Sequence, residues 1–117
     1  MTGKEIATAL HQHKFSFDCE DTFQLGVARV LTQAKVPFER EFSFGTAGRI
    51  DFLCNGGVGL ELKIKGDRMA VIHQLFDYAR CPEVKELVLV TTSNKLRAMP
   101  ENLNGKALTV VYVGTLA

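Results

Sequence analysis

Asp51, Glu61 and Lys63 are the residues of this chain whose types and spacing can do chemistry together. They lie in two segments, Arg49 to Cys54 and Val58 to Lys65, that alternate apolar and polar side chains and so read as strands. Asn55-Gly56-Gly57 between them has the residues of a tight hairpin turn, which makes the strands antiparallel neighbours. Arg49, Asp51 and Leu53 then share one face of the first strand, and Glu61, Lys63 and Lys65 one face of the second. The two carboxylates stand side by side, a residue or so out of direct opposition. Neighbouring carboxylates repel unless a cation lies between them, and an all-oxygen set selects a hard ion such as Mg²⁺ over Zn²⁺, which takes His or Cys. The backbone carbonyl of Leu62 is placed to join that shell. Lys63 points into the same site, where its ammonium can hydrogen-bond a water and a phosphate oxygen. Such a set suits phosphodiester hydrolysis: a bound cation acidifies water and offsets charge on the phosphoryl group, while the lysine orients the nucleophile. Whether Lys63 also acts as general base stays open at this level.

The flanking segments must hold these residues in place. Thr2, followed three positions later by Glu5, has the capping-box pattern, and Ile6, Ala9 and Leu10 recur at helical spacing, so a short covering helix is expected. Asp18 is positioned to cap a second helix with Phe23, Val27, Val30 and Leu31 on its apolar stripe. Glu20 falls on that inward face, with Asp21 its rival under a different helix phase; acids in a first turn also suit the helix dipole with no further role. Pro37 ends the helix, and Phe38 to Phe44 alternates Phe38, Arg40, Phe42 and Phe44 against Glu39, Glu41 and Ser43 as a half-buried strand. Gly66-Asp67 closes the sheet run and caps a helix from about Arg68 to Arg80, which carries Val71, Gln74, Leu75 and Tyr78 on one stripe and is stopped by Cys81-Pro82. Leu87 to Thr92 and Leu108 to Val113 are continuous apolar strands of the doubly buried kind, with a short helix or turn around Lys95 to Met99 between them. A meander followed by a crossover helix and buried strands predicts one α/β domain over residues 1–117: a mixed sheet, antiparallel meander plus parallel strands, flanked by helices.

Asp51, nine intervening residues, and then Glu61-Leu62-Lys63 resembles the D-xn-E-x-K core of the PD-(D/E)XK nuclease superfamily, and the element order over about residues 18–113 is similar to that superfamily's core. Ile50 stands where the motif often has proline. The resemblance implies a restriction-endonuclease-like fold and a Mg²⁺-dependent deoxyribonuclease, with Mn²⁺ able to substitute. Asp51, Glu61, the Leu62 carbonyl and Glu20 would be metal ligands, and Lys63, Glu20 and Gln74 would complete the catalytic set. Gln74 and Tyr78 resemble the Q-x-x-x-Y signature of RecB-type members; four apart on a helix, they share one face. They also suit a plain half-buried stripe. The small size is similar to that of phage or archaeal Holliday-junction resolvases, which implies a homodimer and cleavage selective for junctions, flaps or ends.

The chain has 117 residues, 46% hydrophobic and 23% charged, as expected of one soluble domain. Its 14 Lys+Arg against 13 Asp+Glu leave +1, which excludes a polybasic coat, so a DNA partner must be met by a local patch. Lys65 and Arg68 beside Lys63 supply one, with Arg49, Arg40 and Tyr78 as further DNA contacts; the two arginines can equally pair with Glu39 or Glu41. Cys19, Cys54 and Cys81 are far apart and form no C-x-x-C, so neither a disulfide framework nor a zinc ribbon is indicated, and a reducing cytoplasm is the expected setting. His11, His13 and Cys19 lack a fourth ligand, and His73 falls off the inward stripe of its helix. The first residues do not read as a secretion signal, no apolar run is longer than the four residues of Leu87 to Val90, and no organic cofactor or membrane partner is expected. A catalytically silent nucleic-acid-binding or assembly subunit with the same fold is the alternative, and RNA as target stays open.

Overall fold

Thr2 and Glu5 form the reciprocal pair that their spacing predicts. In a computed structural model describing residues 1–16 and 19–113, the Thr2 hydroxyl accepts from the Glu5 amide at 3.2 Å and the Glu5 carboxylate from the Thr2 amide at 2.9 Å, opening helix α1 (Gly3–His11). Helix α2 (Glu20–Gln33) follows, with Cys19 at its cap position and no side-chain cap bond there; the expected cap, Asp18, lies outside the described residues. Strands β1 (Phe38–Ser43), β2 (Arg49–Cys54) and β3 (Val58–Lys63) form the antiparallel meander. Asp67 accepts from the Ala70 amide at 3.0 Å and opens helix α3 (Arg68–Ala79), which crosses to β4 (Glu86–Thr91), parallel to β3.

Strand β6 (Lys106–Tyr112) pairs parallel with β4, and a two-residue strand absent from the sequence expectation, β5 (Asn102–Leu103), folds back on it. Asn104 and Gly105 join them at φ 51° and 77°, the left-handed pair that a two-residue hairpin requires and that Asn-Gly accommodates. The result is an α/β fold with a six-stranded mixed sheet in the order β1-β2-β3-β4-β6-β5.

Both faces of the sheet are covered. Ile6, Leu10, Phe23, Val27 and Leu31 from α1 and α2 pack on Phe52, Leu60, Leu62, Val88 and Val90. On the other face Val71, Leu75 and Tyr78 from α3 pack on Ile50, Leu87, Leu89 and Leu108. Each fully buried side chain of this size contributes roughly 1.5–3 kcal/mol. Leu60 and Leu62 face α1 and α2, so Glu61 between them must enter the opposite layer, where it is buried. Among the described residues no helix is long and apolar enough to cross a membrane.

Two strands depart from simple alternation. Phe38 packs in the α1/α2 layer, whereas Phe42 and Phe44 pack in the α3 layer. Between them Glu41 adopts φ 51°, a left-handed conformation that turns the rest of β1 over. Across the sheet β2 changes layers at the same level, Ile50 joining the α3 side and Phe52 the α1/α2 side, so Asp51 sits at the crossing point. Strand β3 ends at Lys63 and not at Lys65. The Thr91 hydroxyl and the Thr92 amide donate to the Lys63 carbonyl at 2.8 and 3.2 Å, and the Thr92 hydroxyl donates to that of Ile64 at 3.1 Å. These bonds from the end of β4 bend the chain away from the ladder.

Glu41 yields a direct test. Glu41→Val improves β propensity yet places a β-branched residue at positive φ, and is expected to lower stability by about 1–2 kcal/mol, whereas Glu41→Gly stays within about 1 kcal/mol of wild type. Urea denaturation midpoints decide it; a neutral or stabilising Glu41→Val would show that the strand switches layers for another reason.

Candidate active site

The ladder between β2 and β3 runs from Cys54 opposite Val58 to Phe52 opposite Leu60 and stops there. One step further, the same register sets Asp51 directly opposite Glu61, without the expected offset. At this level the main chains part and the side chains take over. The Leu62 amide donates to Asp51 Oδ2 at 2.8 Å, and the Asp51 amide donates to Glu61 Oε1 at 3.1 Å. Each carboxylate thus accepts a backbone N–H across the strand gap, which leaves neither buried donor orphaned. In an extended strand a residue's N–H and C=O point to the same edge, so the Leu62 carbonyl also opens toward this fork. Lys63 Nζ lies 3.6 Å from Glu61 Oε2, with the Lys63 side chain 22% exposed and that of Glu61 4%.

Gln24 is a part of the site that sequence reading did not single out. It is buried, its Nε2 donates to Asp51 Oδ1 at 2.9 Å, and its Oε1 accepts from Arg40 Nη2 at 2.9 Å. Arg40, expected on DNA and exposed, gives one donor to Gln24 and lies over the Phe52 ring, 5.9 Å from its centroid. The guanidinium thereby fixes which end of the Gln24 amide faces Asp51. A signal was present: Glu20, Gln24, Val27 and Leu31 follow helical spacing, and a polar residue inside a buried stripe needs a polar partner.

Burial pushes the Glu61 carboxyl up to about 8, and the charge of Asp51 adds to that rise while Lys63 opposes it. Burial also raises Asp51, opposed by the Leu62 amide and reinforced by the charge of Glu20. Glu20 itself is exposed in the first turn of α2, one turn before Gln24, so it stands over the fork rather than inside it. Among the described residues no three His, Cys, Asp or Glu side chains converge to hold a metal. The donor set of the fork is two carboxylates and a carbonyl, all oxygen, and each hydrogen-bonded carboxylate oxygen retains a lone pair. That set fits a hard divalent ion which completes its shell with water, as Mg²⁺ does.

Gln74 and Tyr78 are brought together, though not onto the fork. Tyr78 is buried, its hydroxyl donates to the Arg49 carbonyl at 2.7 Å, and Gln74 Nε2 donates to that hydroxyl at 2.9 Å. Tyr78 was expected to face DNA; with its hydroxyl turned inward it serves to fasten β2 to α3. Gln74 lines an open groove with Lys63, Gly66, Asp67, His73 and Asp77. Arg49 is exposed and pairs with Glu41 at 3.5 Å, the second of the two roles expected for it. Lys65 and Arg68 are exposed beside the groove, and Arg68 Nε donates to the Ala98 carbonyl at 2.6 Å. Cys54 is buried, which pushes its thiol up to about 12 and makes it unreactive.

The carboxyl of Glu61 keeps its proton in the folded chain to about pH 8 against 4.5 for an ordinary glutamate. The folded state therefore binds more protons between these values, and the stability present below pH 4.5 is lost as pH rises toward 8. Glu61→Gln, neutral at every pH and still able to accept from Asp51, is expected to match wild type in EDTA near pH 4.5 and to melt several degrees higher above pH 8. Melting curves of equal pH dependence in both proteins would refute this electrostatic picture of the fork.

No protein-family model, curated protein or solved structure matches this chain.

Proposed function

We propose that this chain is a Mg²⁺-dependent nuclease with a restriction-endonuclease-like core that hydrolyses phosphodiester bonds of DNA. The observation that carries this reading is the fork: the buried carboxyl of Glu61 and the half-buried carboxyl of Asp51 with the Leu62 carbonyl at one gap, and an ammonium beside them at the mouth of an open groove. Among the described residues Lys63 ion-pairs with Glu61 alone, so a closely opposed, largely desolvated acid pair still opposes stability, and a metal ion between the two acids would relieve it, which supports this reading over a plain sheet-face salt bridge.

In this reading Asp51, Glu61 and the Leu62 carbonyl hold the ion. When bound, the ion acidifies a water and stabilises negative charge on the phosphoryl oxygens. Lys63, kept in place by Glu61, orients the attacking water and donates to a non-bridging oxygen of the phosphate. Attack forms a new P–O bond as the bond to the leaving oxygen breaks, yielding a phosphomonoester and a hydroxyl end. Gln24 holds Asp51 in its ligating orientation, and Gln74 with Tyr78 fixes the start of β2 against α3. Glu20 is placed to carry charge above the fork. The resolvase-like reading adds selectivity for DNA shape and a homodimer, since two strands of a symmetric junction need two sites.

Linear, nicked, flap and four-way-junction DNA incubated with the protein in Mg²⁺, Mn²⁺ or EDTA tests this directly. Cleavage is expected with either metal and in no EDTA sample. Asp51→Ala and Lys63→Ala are each expected to lower the rate by roughly 10²-fold or more. Gln24→Ala, which acts through Asp51, should instead raise the Mg²⁺ concentration needed by about tenfold. Cleavage in EDTA or by Asp51→Ala would sink the metal mechanism, and a wild type that binds DNA without cutting any substrate would establish the silent binding subunit.

A further inference from the structure

The ends of β3, β4 and β6 lie side by side on one rim of the sheet, because Lys63 is the register partner of Thr91 and Thr91 that of Tyr112. The chain leaving β3 carries Lys65 and Arg68 there, and the chain leaving β4 carries Lys95 and Arg97; all four are exposed. The two connections are fastened to each other and to the sheet. Arg68 Nε donates to the Ala98 carbonyl at 2.6 Å, Leu96 is fully buried, and the Arg97 guanidinium lies over the Tyr112 ring, 4.4 Å from its centroid. Residues 87–100 contain no Asp or Glu at all. The exposed acids near the rim include Glu20, Glu41, Asp67 and, in the groove beside Lys63, Asp77; Glu41 and Asp67 are already engaged with Arg49 and the Ala70 amide. On the opposite rim acids and bases alternate: Glu83 and Glu86 flank the exposed Lys85 at the start of β4, and Glu101 is followed by Lys106 at the start of β6. The net charge of +1 thus conceals a local run of exposed cations on the first rim.

We infer that this rim is a docking surface for the phosphate backbone of DNA, with Lys95 and Arg97 extending the contact of Lys65 and Arg68 beyond the fork. The inference rests on the nuclease reading for its occupant and on the placement of these four side chains for itself. From β3 to β6 is two strand spacings, about 10 Å, and a duplex presents one charge per roughly 1.7 Å of its axis, so four cations on that span meet enough phosphates to neutralise. The rim contacts backbone and not base edges, so it adds affinity and orientation without sequence choice.

Anisotropy of a labelled DNA duplex across a salt series, in EDTA and in Ca²⁺, reads binding apart from cleavage. The double variant Lys95→Ala/Arg97→Ala is expected to weaken binding roughly fivefold or more near physiological salt and to flatten the salt slope by about 1–2. Arg97→Lys, which keeps the charge and loses most of the stacking, should bind nearly as wild type, and Lys85→Ala, exposed on the opposite rim, should not change it. Wild-type affinity and slope in the double variant would overturn the rim while leaving the nuclease reading intact. A protein that binds DNA with the expected slope but never cuts would remove catalysis and leave the rim standing. Binding of an RNA duplex of the same sequence more tightly than DNA would overturn DNA as the occupant.

Discussion

Between Asp51 and Glu61 the β2–β3 ladder is carried by side chains in place of main chain, and the surroundings are arranged around that exchange. A carboxylate that accepts a buried backbone N–H cannot swing away without orphaning the donor, a loss of about 1–3 kcal/mol. The two acids are therefore held in place by the needs of the backbone itself. The same bonds tie function to stability, because any change that removes a carboxylate also strips a partner from the amide of Leu62 or Asp51.

The fork is gripped from both layers of the fold. Tyr78, from the α3 side, holds the carbonyl of Arg49; Gln24, from the α2 side, holds the carboxylate of Asp51. Two helices on opposite faces thus fix residues two apart on one strand. This is possible because β2 changes layers at that level, presenting Ile50 to one core and Phe52 to the other. Arg40 completes the grip by orienting Gln24, so a residue expected at the DNA surface also supports the site.

Much of this was legible in the residues alone. The capping pair Thr2 and Glu5, the hairpin at Asn55 to Gly57, the Asp67 cap and the buried β4 all follow local rules in which a residue's neighbours in sequence decide its conformation. Asp51, Glu61 and Lys63 were legible as a group because a hairpin makes distant residues neighbours by simple counting. Gln24 was legible only as a polar residue in a buried stripe; its partners come from β1 and β2, and no counting within α2 points to them. The left-handed Glu41 was equally hidden: glutamate has no preference for that conformation, and only the packing of Phe38 and Phe42 in different layers demands it. The inward turn of the Tyr78 hydroxyl depends on a carbonyl on another strand, Arg49 of β2, and its helical spacing alone was silent on that. The Asn104-Gly105 hairpin, by contrast, carried a strong local signal, and β5 was missed only because it spans two residues.

Strand β1 is the outermost strand on one side of the sheet and β5 on the other. An open sheet edge presents unpaired amides and carbonyls that invite another chain to add a strand. β5, two residues long, offers almost no template. β1 is longer, but the conformation of Glu41 breaks its regular pleat midway, and Glu39, Arg40 and Glu41 line it with charge. The residue that lets β1 serve both cores therefore also guards the sheet against edge-to-edge growth, so a chain with Glu41 regularised into the strand would gain a longer straight edge and a new tendency to aggregate.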